Sequence, residues 1–92
     1  MYLEIVSPEA TLFSGEVESV TVPGVNGEFQ MLQNHAPIVS LLQDGLVKIQ
    51  GNIELDELHA DKFTKDAEGK VSLPIKSGTI ELNDNKLIVL AD

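Results

Sequence analysis

The stretch EVESVTVPGVNGEFQML, residues 16–32, sets two apolar runs on either side of a turn-rich centre. Val17, Val20 and Val22 alternate with polar residues, but their parity changes between positions 17 and 20. A β-bulge in one strand over 16–22 accounts for that shift. Asn26-Gly27 is a two-residue hairpin signal, because both residue types tolerate positive φ. FQML then reads as the returning strand, Phe29 to Leu32. A period of two on both sides of a tight turn points to antiparallel sheet.

The same period recurs outward along the chain. In YLEIV, residues 2–6, Leu3 and Ile5 alternate with Tyr2, Glu4 and Val6, as in a strand with one side buried. The run IVSLL, residues 38–42, admits a short helix or a buried strand. Its β-branched Ile38 and Val39, and the extended conformation that Pro37 imposes on Ala36, favour a strand. Asp44-Gly45 and Gly51-Asn52 flank the alternating LVKIQ. VSLPI, TIEL and KLIVLA follow, separated by Ser77-Gly78 and Asn83-Asp84-Asn85. Pro74 cannot donate to a ladder, which predicts an edge position or a strand end.

Residues 54–70, ELDELHADKFTKDAEGK, break the alternation. Six acids and three lysines mark a solvated segment, either a weak helix or a mobile, charged excursion, with Ala67 to Lys70 turning into VSLPI. Many short strands at regular spacing predict an all-β fold, an antiparallel sandwich or barrel.

Composition bounds the function. Ninety-two residues supply one modest core, burying roughly 65% of the unfolded surface. Aromatics are 4% of the chain, so Val, Ile and Leu fill that core. There is no cysteine, which excludes disulfides and thiolate metal sites. No apolar run reaches the ~18 residues of a membrane span, and the start lacks the pattern of a signal peptide. A soluble cytoplasmic protein is the expectation. Fifteen acids, six lysines and no arginine give a net charge of −9, which repels phosphate backbones and speaks against nucleic acid. A charged partner for this surface would be basic.

Catalytic patterns are lacking. The two histidines, His35 and His59, have no ligand set at metal spacing, although His59 sits among Asp56, Glu57 and Asp61. Ser14 and Ser77 each precede a glycine and read as turn residues, outside any nucleophile elbow. Glycines occur singly, so no loop cradles phosphate. No cofactor is expected.

The stretch LFSGEVESVTVPGVNGEFQMLQNHAPIVSLLQDG, residues 12–45, resembles the amino-terminal domain of the epsilon subunit of rotary (F-type) ATP synthases. Phe13-Ser14-Gly15 precedes a valine-rich strand, Gly27-Glu28 follows, and His35-Ala36-Pro37 leads into an apolar strand. LEIVSPEATLF and SGTIELNDNKLIVLAD, with Leu90-Ala91-Asp92, are similar to the family's first and last elements. Gln30 replaces a glycine of the family pattern, and Gln33-Asn34 replaces Pro-Gly. Asn34 can take the left-handed conformation a glycine would supply. The segment 54–70 lengthens the usual hairpin.

The resemblance implies a two-sheet antiparallel β-sandwich of about ten short strands, with residues 1–92 forming one epsilon-like domain. It implies a non-catalytic rotor subunit that joins gamma to the c-ring and couples proton transport to ATP synthesis. The expected place is the cytoplasmic side of the bacterial inner membrane, in a peripheral complex without direct membrane insertion. Gly27, Glu28, Phe29, Gln30, Met31 and Leu32 would face the polar loops of the c-ring. Ser7, His35 and Ser40 would lie towards gamma. Many members continue into a helical hairpin; this sequence stops at Asp92, and inhibition by that hairpin is not carried over. An unrelated small acidic β-sandwich binding module is the alternative.

Overall fold

Ten strands appear in the computed structural model, which describes residues 1–92. In chain order they are β1 (Tyr2–Val6), β2 (Thr11–Glu16), β3 (Ser19–Gly24), β4 (Gly27–Met31), β5 (Ile38–Leu42), β6 (Gly45–Gln50), β7 (Thr64–Lys65), β8 (Val71–Ile75), β9 (Gly78–Asn83) and β10 (Lys86–Ala91). The hydrogen-bonded order is β2-β1-β10-β9-β5-β3-β6-β8-β7, with β4 on β3. One pair, Gly24 with Leu42, links β5 to β3 and divides this path into two halves. Every pairing is antiparallel except β1 with β10, which run parallel.

Alternation decides what is buried. Leu3, Ile5, Ile80, Leu82, Leu87 and Val89 of one half, and Val20, Val22, Met31, Val47 and Ile49 of the other, are almost wholly excluded from water. They belong to one continuous apolar core. Burial of each such aliphatic side chain contributes about 1.5–3 kcal/mol. Aliphatics do replace aromatics here, with Phe13 and Phe63 as the two buried rings.

Several local expectations shift. The 16–22 run is two strands rather than one bulged strand. At Val17 and Glu18 the chain changes partner: the Val17 N–H donates to the Met1 carbonyl (2.9 Å) and the Glu18 N–H to the Gln50 carbonyl (2.8 Å). The change of parity therefore marks a crossing from one half to the other. The hairpin turn falls one residue earlier than Asn26-Gly27, on Val25-Asn26, because Gly24 pairs with Gly27 and only Gly27 takes a positive φ (124°). IELDEL forms no strand; Ile53 and Leu55 pack on the core from irregular backbone. Ser14 lies within β2 opposite Glu4, not in a turn.

The charged segment 54–70 contains a three-residue 3₁₀ turn, Ala60–Lys62, with no buried residue, and then the short β7. Its anchor is Phe63, which is buried. The turn at 66–70 is organised by Asp66, whose Oδ1 accepts from the N–H groups of Glu68 and Lys70, both at 2.9 Å. Pro74 pairs with Leu46 on one side, and β7 stops short of it on the other. That is the edge position its missing N–H requires.

Candidate interaction face

The outward residues of β5, β9, β10 and β1 form rows fixed by register. One row runs Val39, Glu81, Ile88, Glu4; the next runs Leu41, Thr79, Leu90, Val6. Neighbouring strands lie about 4.8 Å apart, so side chains along a row touch the same partner. Val39 is 74% exposed, Leu41 61% and Leu90 50%. Val39 and Leu90, with half-buried Ile88, line a shallow depression around Thr79 and Glu81. A contiguous apolar patch with an acidic margin is the ordinary mark of a contact surface.

This corrects the expectation of a buried strand at 38–42. IVSLL is apolar on both parities, but only Leu42 is buried; Val39 and Leu41 point to solvent. Ser40 takes the inward parity, half-buried opposite Ile80, and its hydroxyl donates to the Leu41 carbonyl at 3.3 Å. Its side chain is therefore on the other side of β5 from the apolar rows.

His35 and Ser7 lie at opposite ends of that face. Ser7 closes the turn between β1 and β2: its Oγ donates to the Ala10 carbonyl (3.2 Å) and accepts from the Ala10 N–H (3.3 Å). His35 is half-buried ahead of β5, and its N–H donates to the Leu32 carbonyl at 3.2 Å. The His35 Nδ1 lies 2.7 Å from the Ala36 carbonyl oxygen, which can only accept, so Nδ1 carries the hydrogen. Asn34 takes a left-handed φ of 62°, as the sequence suggests.

Two amides tie this turn down. Gln33 Nε2 donates to the carbonyls of Val17 (2.7 Å) and Glu18 (3.2 Å). Asn85, in the β9–β10 turn, accepts from the Asn34 N–H at 2.9 Å and donates from Nδ2 to Gln33 Oε1 at 3.4 Å. In the sequence Gln33 and Asn34 stand out only as departures from the family pattern, and Asn85 only as part of the Asn83-Asp84-Asn85 turn. A contact spanning 51 residues leaves no local signal.

The β3–β4 hairpin presents Val25, Asn26, Gly27 and Glu28 at its tip. Gln30 and Leu32 are also exposed, whereas Met31 is fully buried and Phe29 packs on the core. The expectation that Met31 and Phe29 belong to an outward contact set is thus corrected by strand alternation: both take the inward parity. Glu28 Oε2 lies 3.1 Å from Lys48 Nζ, both half-exposed. Such a pair contributes little to stability but sets the direction of the carboxylate. His59 Nδ1 is buried without a partner, and no three His, Asp or Glu side chains converge as metal ligands.

The sequence profile of the ATP synthase Delta/Epsilon chain β-sandwich domain matches residues 1–92. The ATP synthase epsilon chain of Chlorobaculum tepidum is 37% identical over 90 residues, which are 98% of this chain and 86% of that one. The epsilon chain of Campylobacter fetus subsp. fetus is 39% identical over 92 residues, all of this chain and 60% of its own. Among solved structures, a chain of the central stalk and c-ring of Tetrahymena thermophila mitochondrial ATP synthase superposes with a TM-score of 0.72 at 14% identity. That match covers 99% of this chain and 62% of the other. A chain of the Euglena gracilis mitochondrial ATP synthase gives 0.72 at 18% identity, covering 97% and 48%. At such identities the likeness is one of fold.

Proposed function

The chain belongs to the β-sandwich domain family of the ATP synthase delta/epsilon chain, and on that premise we propose that it is a non-catalytic rotor subunit joining gamma to the c-ring. In this role it couples proton transport to ATP synthesis from the cytoplasmic side of the bacterial inner membrane, within a peripheral complex. Membership of this family removes the alternative of an unrelated acidic binding module.

The observation that supports the reading most is the apolar face around Val39, Leu41, Ile88 and Leu90. Leaving these side chains in water forgoes stabilisation that a partner surface would supply. Gamma is the proposed occupant, with His35 at one end of the contact and Ser7 at the other. Ser40, inward-facing, supports the strand from behind. The c-ring contact is the hairpin tip: Gly27, Glu28, Gln30 and Leu32 supply its surface, while Phe29 and Met31 hold it to the core. An acidic tip meeting basic polar loops speeds encounter and fixes register.

Co-expression with the gamma subunit of the same operon, followed by co-purification, tests the reading. A stable one-to-one complex is expected. Absence of association between the purified proteins at micromolar concentration overturns it.

A further inference from the structure

We infer that Asn85 and Gln33 are positioning residues that hold the His35 turn in the shape its partner binds. The inference rests on the gamma reading above and extends it to residues outside the contact surface.

The turn from Leu32 to Pro37 has little apolar anchorage. Leu32, Gln33, Asn34, Ala36 and Pro37 are all exposed, and only His35 is partly covered. Within the backbone it makes one turn hydrogen bond, from the His35 N–H to the Leu32 carbonyl. A segment so poorly buried opens at low cost unless something outside it supplies order.

Two side-chain amides supply that order from opposite directions. The Asn34 N–H is a donor, so the atom of Asn85 facing it at 2.9 Å is the oxygen Oδ1. Gln33 faces two carbonyl oxygens, those of Val17 and Glu18, so the atom there is the donor Nε2. Gln33 Oε1 accepts from the Met1 ammonium and also faces Asn85 Nδ2, at 3.4 Å. The turn is thus linked on one side to the crossing between β2 and β3, and on the other to the β9–β10 turn. A cleft between the two turns is lined by Asn34, His35, Ala36, Pro37, Asp84 and Asn85.

Backbone geometry makes Asn85 suited to this task. It sits at φ 60°, in the left-handed region of the β9–β10 turn, which Asn, Asp and Gly tolerate better than other residues. Glycine at this position keeps the turn and removes only the amide. Aspartate keeps the turn and the Oδ1 acceptor for Asn34. This pair separates loss of the link from loss of the hairpin.

The test compares the wild-type chain with Asn85→Gly and Asn85→Asp by amide hydrogen exchange, thermal unfolding and titration with purified gamma. Asn85→Gly is expected to speed exchange of the Asn34 amide about tenfold. It should weaken gamma binding about five- to tenfold, chiefly through loss of the 2.9 Å bond to the Asn34 N–H, with little change in Tm. Asn85→Asp, which keeps the acceptor for the Asn34 N–H and gives up only the 3.4 Å contact to Gln33, should restore most of both. Unchanged Asn34 exchange in Asn85→Gly overturns the link. Faster exchange with unchanged affinity overturns the positioning role and leaves the gamma reading standing. Failure of the wild-type chain to bind gamma overturns both.

Discussion

Gly24 of β3 pairs with Leu42 of β5, and this is the one ladder contact between the two halves of the sheet. Two flanking bonds support it: the Val25 N–H to the Leu41 carbonyl (3.1 Å) and the Gln43 N–H to the Pro23 carbonyl (2.8 Å). The β3–β4 hairpin is therefore seated on the corner where the chain passes from one half to the other. The approach is close. A Cβ on Gly24 would lie 2.8 Å from both the Gly27 carbonyl oxygen and the Phe29 ring. Gly24→Ala is expected to cost about 2 kcal/mol through that overlap. The unfolding midpoint should fall by roughly 10 °C, measurable by circular dichroism. An unchanged midpoint would show that the corner yields.

The apolar face makes the opposite prediction. Leu41→Ser removes an exposed side chain, so the isolated chain should keep its stability to within about 0.5 kcal/mol. Binding to gamma should weaken at least tenfold, roughly 1.4 kcal/mol or more, as expected for an aliphatic anchor near the centre of an interface. Calorimetric titration beside a melting curve separates the two effects.

Met31 and Glu28 lie on the same strand and should behave in unlike ways. Met31→Ala opens a cavity in the core and should cost about 2–5 kcal/mol, seen as a lower urea midpoint. Glu28→Gln should leave the midpoint unchanged and reduce association with the c-ring alone.

The Glu28–Lys48 pair spans β3 on the outer surface and is half exposed at both ends. A double-mutant cycle with Glu28→Gln and Lys48→Met should return a coupling below about 1 kcal/mol. That coupling should fade in 1 M salt, where the screening length shrinks to about 3 Å.

Asp66 receives two backbone N–H groups in the turn before β8, so its loss should be local. Asp66→Ala is expected to destabilise by about 1–2 kcal/mol and to speed amide exchange at Glu68 and Lys70. Asp66→Asn, which keeps the acceptor oxygen, should recover most of that loss.

The parts of the fold visible in the sequence are those set by near neighbours. Leu3 and Ile5 alternate with polar residues because one side of β1 is buried, and Asn83-Asp84-Asn85 turns because two successive left-handed residues fit a hairpin. Asn34 adopts the left-handed geometry its residue type allows. What was hidden depends on distant strands. The parity change at Val17 looks like a bulge until Gln50 is known to pair beyond it. An apolar run such as IVSLL reads as buried, since nothing within it says that one of its two faces lacks a covering layer. Of the candidate site, the hairpin tip and His35 are expectations that only the resemblance carries. The apolar rows were not legible, because Val39 and Leu90 meet only through the register of three strands.

The parallel pairing of β1 with β10, Tyr2 beside Lys86 through Val6 beside Leu90, has a consequence for synthesis. Strand β1 waits for β10 before its inner edge is paired. Until residues 86–91 emerge, β1 and β2 are an isolated hairpin, which is at best marginally stable in water. This half of the sheet thus closes only once β10 has been made, on the slow timescale of long-range strand pairing. Meanwhile the unpaired edge of β1 is open to any chaperone that recognises extended apolar chain.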